Sequence, residues 1–123
     1  MKIDTSSLTP IYVQIADAIE EDILNDKLFE GGNCYSQIII AKELKVNPAT
    51  AAKGINLLVA RNILEKNRGQ AMTVALDAKE KIMKRKKEEI FSKMIKELVI
   101  TAKQLNLSEE YVLSAINKFF QEE

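Results

Sequence analysis

The chain has 123 residues, of which 46% are hydrophobic and 29% are charged. This length suffices for one core, or for one small domain plus an extension, and the composition is too apolar for wholesale disorder. Its 18 basic residues balance its 18 acidic residues, and this zero net charge gives no first sign of a nucleic-acid partner. The chain has no histidine, one cysteine and no glycine-rich phosphate loop, so an enzyme, a metal site and a bound cofactor are not expected.

The first predicted element is an amphipathic helix that begins at Thr9-Pro10, with threonine as the N-cap and proline at the first helical position. Isoleucines recur at every fourth residue and define its buried face: Ile11, Ile15, Ile19 and Ile23. The opposite, solvated face is expected to hold the acidic residues Asp17, Glu20 and Glu21. The helix is expected to end near Asn25.

Two further helices are predicted, joined by a tight turn. The second helix begins after Ser36, which suits an N-cap. Asn47 is expected to cap the third helix with Pro48 in its first turn, so the Asn-Pro pair starts a helix. The buried face of the third helix has the spacing i, i+4, i+7: Ala51, Ile55 and Leu58. Gly54 beside that face indicates close approach of another backbone, and Asn62 suits the left-handed position after the helix.

After the third helix, the hydrophobic period changes to the alternation that is typical of strands. Apolar residues alternate through residues 64–76 on either side of Arg68-Gly69, which predicts a β-hairpin with a basic tip. Three helices followed by a hairpin are typical of a winged helix-turn-helix. We therefore assign residues 1–76 to such a domain.

Residues 77–123 contain no glycine or proline and are predicted to form a helical tail. Its first helix has a seam with alternating spacings of four and three: Phe91, Ile95, Leu98, Ala102 and Leu105. Ser108 is expected to cap a last helix with an apolar side that includes Val112, Ile116 and Phe119. This much apolar surface exceeds what a 47-residue tail can bury, so we expect pairing with a second copy of the chain. Folding of the tail back onto the winged domain is the open alternative.

Charge is segregated along the chain although the total is zero. Residues 1–41 contain two basic and seven acidic residues, whereas residues 42–68 contain six basic and two acidic residues. This asymmetry predicts a surface with one basic side that includes the third helix. Scattered, solvated charges are the alternative interpretation.

The third helix exposes small side chains over its first two turns. Its predicted outward edge consists of Asn47, Pro48, Ala49, Thr50 and Lys53. A helix that enters the major groove of DNA, which is about 12 Å wide, favours such a slim edge. Polar side chains on this edge can bond phosphates or base edges, and Ala49 can touch a thymine methyl group. The alternative interpretation is a stable helix that carries small side chains on its surface by chance, without a role in DNA binding.

Four segments carry a family resemblance: PIYVQI, the segment CYSQIIIAKEL after the Gly31 turn, VNPATAAKGINLLVARNIL, and EKNRGQAMTV. In this order they resemble the winged helix-turn-helix of GntR-family transcription regulators. The short two-helix tail resembles the YtrA-type branch, in which such a tail serves dimerisation. The expected fold is therefore mainly α with a small β-hairpin: a winged helix-turn-helix DNA-binding domain at residues 1–76, and a two-helix dimerisation extension at residues 77–123.

The resemblance implies a homodimer that binds an inverted repeat in double-stranded DNA, with the third helix in the major groove, and that acts as a repressor. The DNA-contacting residues expected on the second and third helices are Ser36, Gln37, Asn47, Pro48, Ala49, Thr50 and Lys53. The wing is expected to contact the minor groove or the backbone through Arg68, Gly69 and Gln70.

Three positions depart from the family pattern. Ile38 stands where the family usually has an arginine that holds phosphate, and Ala71 replaces the second glycine of the wing. Ala49 stands where the branch often has asparagine, which removes one candidate base contact. Together with Ile39 and the near-neutral winged domain, Ile38 leaves a second function open, a protein-interaction module with little or no DNA binding.

A small-molecule effector, if there is one, is expected at the dimer interface or between tail and winged domain, because the tail alone cannot enclose a pocket of several hundred Å³. Met83, Met94 and Tyr111 are candidates to line such a site, but ordinary core packing is the favoured explanation for them. The longest apolar run, residues 38–41, is too short for a membrane span. The lone Cys34 has no disulfide partner within the chain, which is typical of a cytoplasmic protein.

Overall fold

The computed structural model describes residues 1–69 and 71–122. Its elements in chain order are α1 (Ile11–Leu24), α2 (Gln37–Leu44), α3 (Pro48–Ala60), β1 (Leu64–Glu65), β2 (Thr73–Val74), α4 (Ala78–Lys86), a π-helical turn (Lys87–Phe91), α5 (Ser92–Gln104) and α6 (Glu109–Gln121). The chain divides into two compact units, Met1–Met83 and Lys84–Glu123. Among the described residues, no helix is both long enough and apolar enough to cross a membrane.

The first unit is built around the buried face of α1, which lies against α3. Ile15, Ile19 and Ile23 are fully buried there, as their four-residue spacing predicts. The buried residues of α3 include the three that were predicted: Ala51, Ile55 and Leu58. Burial of one isoleucine or leucine side chain stabilises a fold by about 1.5–3 kcal/mol, so this interface is a main source of stability for the unit.

The predicted hairpin is confirmed and closes the core of the first unit. β1 and β2 are antiparallel, with Leu64 opposite Val74 and Glu65 opposite Thr73. Leu64 and Val74 point into the core, whereas Glu65 is exposed. Asn33 forms an isolated bridge to Thr73 on the other edge of β2. The fold class expected from the sequence, mainly α with a small β-hairpin in winged helix-turn-helix order, is therefore confirmed.

The first six residues of α4 belong to the first unit, so this unit extends beyond residue 76, the boundary that the sequence predicts between winged domain and tail. Ala78 and Ile82 are fully buried in its core. Lys79 forms an ion pair with Asp26 in the loop after α1. Because these contacts hold the start of α4 against the winged domain, the compact unit ends at Met83.

The predicted caps of α2 and α3, and the predicted end of α3, follow the local rules of helix termini. Ser36 Oγ accepts a hydrogen bond from Ile39 N at 3.2 Å, and Asn47 Oδ1 accepts one from Ala49 N at 2.8 Å. Asn62, with φ of 61°, holds the left-handed position that ends α3. These three predictions are confirmed.

The predicted cap of α1 is wrong by one residue. Pro10 is the N-cap, with φ of −55° and ψ of 145°, and no side chain caps the helix. Instead, Gln14 Nε2 donates to the backbone oxygens of Thr9 and Asp4, both at 2.9 Å. The Gln14 amide thus tethers the N-terminal segment, so the threonine hydroxyl is not needed as a cap.

The prediction of a solvated Glu20 is also wrong. Glu20 is fully buried, and Arg61 Nη1 lies 3.2 Å from its Oε1 atom and 3.3 Å from Asp17 Oδ1. The buried face of α1 is wider than the isoleucine stripe because it also includes Ala16. Arg61, just after α3, supplies the charge that a buried carboxylate requires.

The second unit contains α5 and α6. Ser108 Oγ accepts a hydrogen bond from Tyr111 N at 3.1 Å, which confirms the predicted cap of α6. The π-helical turn before α5 was not predicted, because the spacing of apolar residues from Phe91 onward carries no sign of a wider turn.

Candidate nucleic-acid interface

The predicted leading edge of α3 is largely exposed. Asn47, Pro48, Ala49 and Lys53 are exposed and Thr50 is half-buried. The side-chain oxygen of Asn47 is occupied by the cap, so its amide NH₂ is the group that remains available to a ligand. The edge therefore offers small side chains, one amide, one hydroxyl and one ammonium group.

Gly54 holds α3 close to α1, as predicted. A Cβ atom added at Gly54 would lie 2.8 Å from Ile15 Cγ2 and 3.2 Å from the backbone oxygen of Tyr12. This close contact fixes which side of α3 faces the core, so the side that carries Ala49 and Lys53 faces outward.

The tight turn between α2 and α3 is held by a side chain that the sequence assigned to DNA contact. Gln37 Nε2 donates a hydrogen bond to the backbone oxygen of Pro48 at 2.9 Å. Lys45 ends α2 in the left-handed conformation, with φ of 54°. The bond from Gln37 therefore connects the first turns of the two helices, and a DNA contact by Gln37 stays a prediction.

Lys53 is the cation at the centre of the exposed edge. Its Nζ atom lies 5.8 Å from the centroid of the Tyr12 ring. Among the described residues, no carboxylate forms an ion pair with Lys53. The ammonium group is therefore held by an aromatic face and keeps its positive charge exposed.

The tip of the wing is open. Gly69 has φ of 68°, and a Cβ atom built there would meet nothing within 4 Å. Arg68 is exposed beside it, and Asn67 Nδ2 braces the hairpin by donating to Thr73 Oγ1 at 2.9 Å. Gln70, the third predicted wing residue, lies outside the described residues.

A cleft of about 230 Å³ lies where the start of α2, the middle of α3 and the wing meet. Its lining residues are Tyr35, Ser36, Gln37, Ala52, Ile55, Asn56, Ala71 and Met72. The structure thus brings the predicted Ser36 and Gln37 together with the base of the wing. Asn56 is an exposed polar residue of this cleft that was missed, although it follows Ala49 and Lys53 at helical spacing on the same face.

No protein-family model matches the chain. The HTH-type transcriptional regulator YhcF of Bacillus subtilis (strain 168) is 31% identical over 113 residues, which cover 92% of either chain. A GntR-family regulator from Bacteroides thetaiotaomicron has a similar structure, with a TM-score of 0.75, 27% identity and coverage of 90% of this chain and 96% of that one. YtrA from Sulfolobus acidocaldarius, a GntR-family transcription factor, has a TM-score of 0.58, 29% identity and coverage of 98% and 97%.

The chain belongs to the GntR family of transcription regulators. The resemblance stated from the sequence is confirmed, and the similarity to YtrA supports the YtrA-type branch. GntR-family proteins are transcription regulators and not enzymes, so the expected class of protein is confirmed as well.

Two ionisable side chains near the cleft of this GntR regulator, Cys34 and Tyr35, have raised pKa values. Burial raises the pKa of the Cys34 thiol to about 11, so the thiol is protonated and unreactive at neutral pH. Burial, together with the hydrogen bond that the Tyr35 hydroxyl donates to Asp22 Oδ2 at 2.6 Å, raises the pKa of Tyr35 as well. Among the described residues, no cluster of three or more His, Cys, Asp or Glu side chains could hold a metal ion.

The departure at Ile38 has a visible consequence for the surface of the GntR domain. Ile38 and Ile39, in the first turn of α2, are 76% and 50% exposed. Where the family usually places a phosphate-binding arginine, this chain therefore presents an apolar patch.

The second unit of this GntR regulator carries the residues predicted for dimerisation, and its apolar surface is largely uncovered. Phe91, Leu105 and Phe119 are exposed, Ile95 and Leu98 are each 39% exposed, and Val112 and Ile116 are half-buried. Ala102 is the one buried apolar residue among those described in this unit. A groove of about 450 Å³ runs between α5 and α6, lined mainly by aliphatic side chains that include Leu98 and Ile116.

Proposed function

We propose that this GntR-family chain is a homodimeric, sequence-specific DNA-binding transcription regulator that acts as a repressor at an inverted-repeat operator. In this proposal α3 lies in the major groove, and the wing contacts the minor groove or the backbone. The observation that carries the proposal is the exposed, slim edge of α3, with the exposed cations Lys53 and Arg68 on α3 and the wing.

The side chains of this edge match the needs of groove binding. Pro48 and Ala49 add little bulk, so the helix backbone can approach the bases closely. The free amide of Asn47 and the hydroxyl of Thr50 are suited to hydrogen bonds with phosphates or base edges. Lys53 and Arg68 supply the positive charge, since DNA affinity depends mainly on neutralised phosphates.

The uncovered faces of α5 and α6 support the homodimer. Exposed apolar area of this extent is costly in water and is usually covered by a partner. Pairing of the same face from two chains gives a two-fold symmetric dimer. Such a dimer presents two copies of α3 to half-sites about one helical turn apart, about 34–36 Å, or a multiple of that distance.

Repression follows from this arrangement, because a dimer bound across an operator blocks access to the DNA that it covers. An effector of this regulator, if there is one, would bind at the dimer interface, where the α5–α6 groove supplies apolar surface. Action on DNA is compatible with the cytoplasmic location expected from the lone Cys34.

The experiment that tests the proposal is selection of binding sites from random duplex DNA at low salt, with the purified protein. We expect enrichment of an inverted repeat whose half-site spacing reflects the geometry of the dimer. The Lys53→Ala, Arg68→Ala double variant is the matched control and should enrich poorly. No enrichment by wild-type protein that is folded and dimeric would contradict the proposal.

A second function, a protein-interaction winged helix, is favoured by the exposed Ile38–Ile39 patch. The dependence of binding on salt separates the two functions. Binding led by phosphate contacts weakens steeply as salt rises, whereas an apolar contact between proteins does not.

A further inference from the structure

Tyr12 lies beside the candidate DNA-binding edge although it belongs to α1. It occupies the first turn of α1, and its backbone oxygen would lie 3.2 Å from a Cβ atom added at Gly54. Because Gly54 has no side chain, the start of α1 approaches α3 at this level. Lys53 precedes Gly54 in the chain, so the same approach brings Lys53 next to the Tyr12 side chain.

The contact between Lys53 and Tyr12 is of the cation–π type. The separation of 5.8 Å between the ammonium nitrogen and the ring centroid is within the range over which a ring attracts a cation. α3 contains no acidic residue, so no charge on its own helix competes for Lys53. The aromatic ring attracts the ammonium group without neutralising it, and the N–H donors remain available for a phosphate.

Holding Lys53 in one place has a consequence for binding. A free lysine side chain loses much rotamer entropy when it becomes ordered against a ligand. A ring that already restricts the side chain reduces this loss, because part of the ordering precedes binding. The geometry therefore favours a lysine that is held ready for contact with DNA.

We propose that Tyr12 is a positioning residue of the DNA-binding surface, and that its aromatic face holds Lys53 in place for phosphate contact. This inference rests on the proposed DNA-binding function. The inference extends the DNA-binding surface to Tyr12 of α1, which acts through Lys53. The aromatic ring of Tyr12 positions Lys53, and its hydroxyl group is not required.

The test is a double-mutant cycle on DNA affinity. The probe is a fluorescein-labelled duplex of about 30 base pairs and mixed sequence, at about 50 mM salt, where phosphate contacts dominate. Tyr12→Leu should weaken binding about two- to fivefold, the range expected for an exposed cation–π contact. In a Lys53→Met background, the same substitution should have no effect. Tyr12→Phe, which keeps the ring, should bind like wild type.

Melting curves from circular dichroism accompany each variant, so that lost stability is not mistaken for lost positioning. If Tyr12→Leu does not fold, pentafluorophenylalanine at position 12 replaces it, because this side chain keeps the shape of a ring without its negative face. The same loss, dependent on Lys53, is then expected.

The possible outcomes separate this inference from the proposed function. A loss that is equal in both backgrounds, no loss at all, or an equal loss in Tyr12→Phe overturns the positioning role. Wild-type protein that fails to bind the duplex at low salt overturns the DNA-binding function itself, whatever the behaviour of the Tyr12 variants.

Discussion

The two units of this chain differ in the burial of their apolar side chains. In the first unit, Ile15, Ile19 and Ile23 of α1 have no exposed surface. In the second unit, Phe91 and Phe119 are mostly exposed, and Ala102 is the one buried apolar residue among those described. α1, α5 and α6 are amphipathic helices of 13 or 14 residues. Neither the length nor the amphipathic pattern of the helices therefore explains why the apolar side chains of the second unit are more exposed. What differs is whether another element of the same unit covers the apolar face.

The first unit completes its core within the chain, whereas the second unit leaves its apolar face exposed, and in the proposed homodimer a second copy covers that face. The largest predicted effect breaks that partnership. Phe91→Asp combined with Leu98→Asp places charges in the seam, and burial of unpaired charges is strongly unfavourable. We expect monomers in sedimentation velocity. Without bivalent binding, affinity for an inverted-repeat duplex should fall by about two to four orders of magnitude.

The control for the seam variant lies close to it in the chain. Lys93→Asp combined with Lys96→Asp introduces two acidic residues into α5, at exposed positions outside the predicted seam. This variant should remain dimeric. Dimers that persist in the Phe91→Asp, Leu98→Asp protein would show that the second unit uses another surface.

The second prediction tests the self-sufficiency of the first unit. Arg61→Met leaves the buried carboxylate of Glu20 without the cation that lies 3.2 Å away. Removal of one partner from a buried ion pair costs several kcal/mol, and because Arg61 is partly exposed we expect a loss of about 3 kcal/mol in the free energy of unfolding. Urea denaturation measures this loss.

Lys81→Ala is the matched control for Arg61→Met. It removes a cation whose Nζ atom lies 3.1 Å from Asp77 Oδ1, but both side chains of that pair are substantially exposed. Such surface pairs contribute at most about 1 kcal/mol. Equal losses in the two variants would mean that the burial of Glu20 has no energetic importance.

The contrast between Glu20 and the helix caps shows what could be predicted from the sequence. The caps formed by Ser36, Asn47 and Ser108 are hydrogen bonds to backbone groups two or three residues away, so local patterns indicate them. Arg61, which forms an ion pair with Glu20, is 41 residues distant along the chain, and no local pattern links the two. The spacing of apolar residues in α1 therefore predicted that Glu20 is solvated, although it is buried.

The candidate site shows the same contrast between features that local sequence predicts and contacts that depend on distant residues. The outward edge of α3 follows from helical spacing, and the structure leaves it exposed as expected. The hydrogen bond from Gln37 to Pro48 and the approach of Tyr12 to Lys53 depend on how the helices pack, which spacing does not specify. The sequence thus predicted which residues face outward, but not which neighbours hold them in place.

The third prediction concerns the cations of that outward surface. Lys53→Ala combined with Arg68→Ala should weaken binding to a selected operator by about 2 kcal/mol, through lost phosphate and base contacts. The slope of log affinity against log salt should become shallower by up to about two units. Fluorescence anisotropy at several salt concentrations measures both quantities.

Lys27→Ala is the control for loss of a positive charge elsewhere, because Lys27 is exposed in the loop after α1 and outside the predicted surface. It should leave both quantities close to wild type. A double variant of Lys53 and Arg68 that binds as tightly as wild-type protein would rule out the surface proposed here.

The smallest predicted effects distinguish a packed glycine from an open one within the first unit. Gly54→Ala places a methyl group 2.8 Å from Ile15 Cγ2, and overpacking of a core typically costs about 1–3 kcal/mol. The gain in helix propensity from alanine, about 1 kcal/mol, offsets part of this cost, so a net loss of about 1 kcal/mol is expected. Gly69→Ala meets no atoms but must adopt a positive φ, which costs a similar amount.

A second substitution at each glycine separates the two causes. Gly69→Asn should recover most of the stability lost in Gly69→Ala, because asparagine tolerates the left-handed conformation. Gly54→Ser should be at least as destabilising as Gly54→Ala, because its side chain is larger and the neighbouring Ile15 atoms leave no room. Thermal unfolding followed by circular dichroism ranks the four variants. A Gly54→Ala protein that melts above wild type would mean that α1 and α3 separate at no cost, and the packing that brings Tyr12 next to Lys53 would then not be required by the fold.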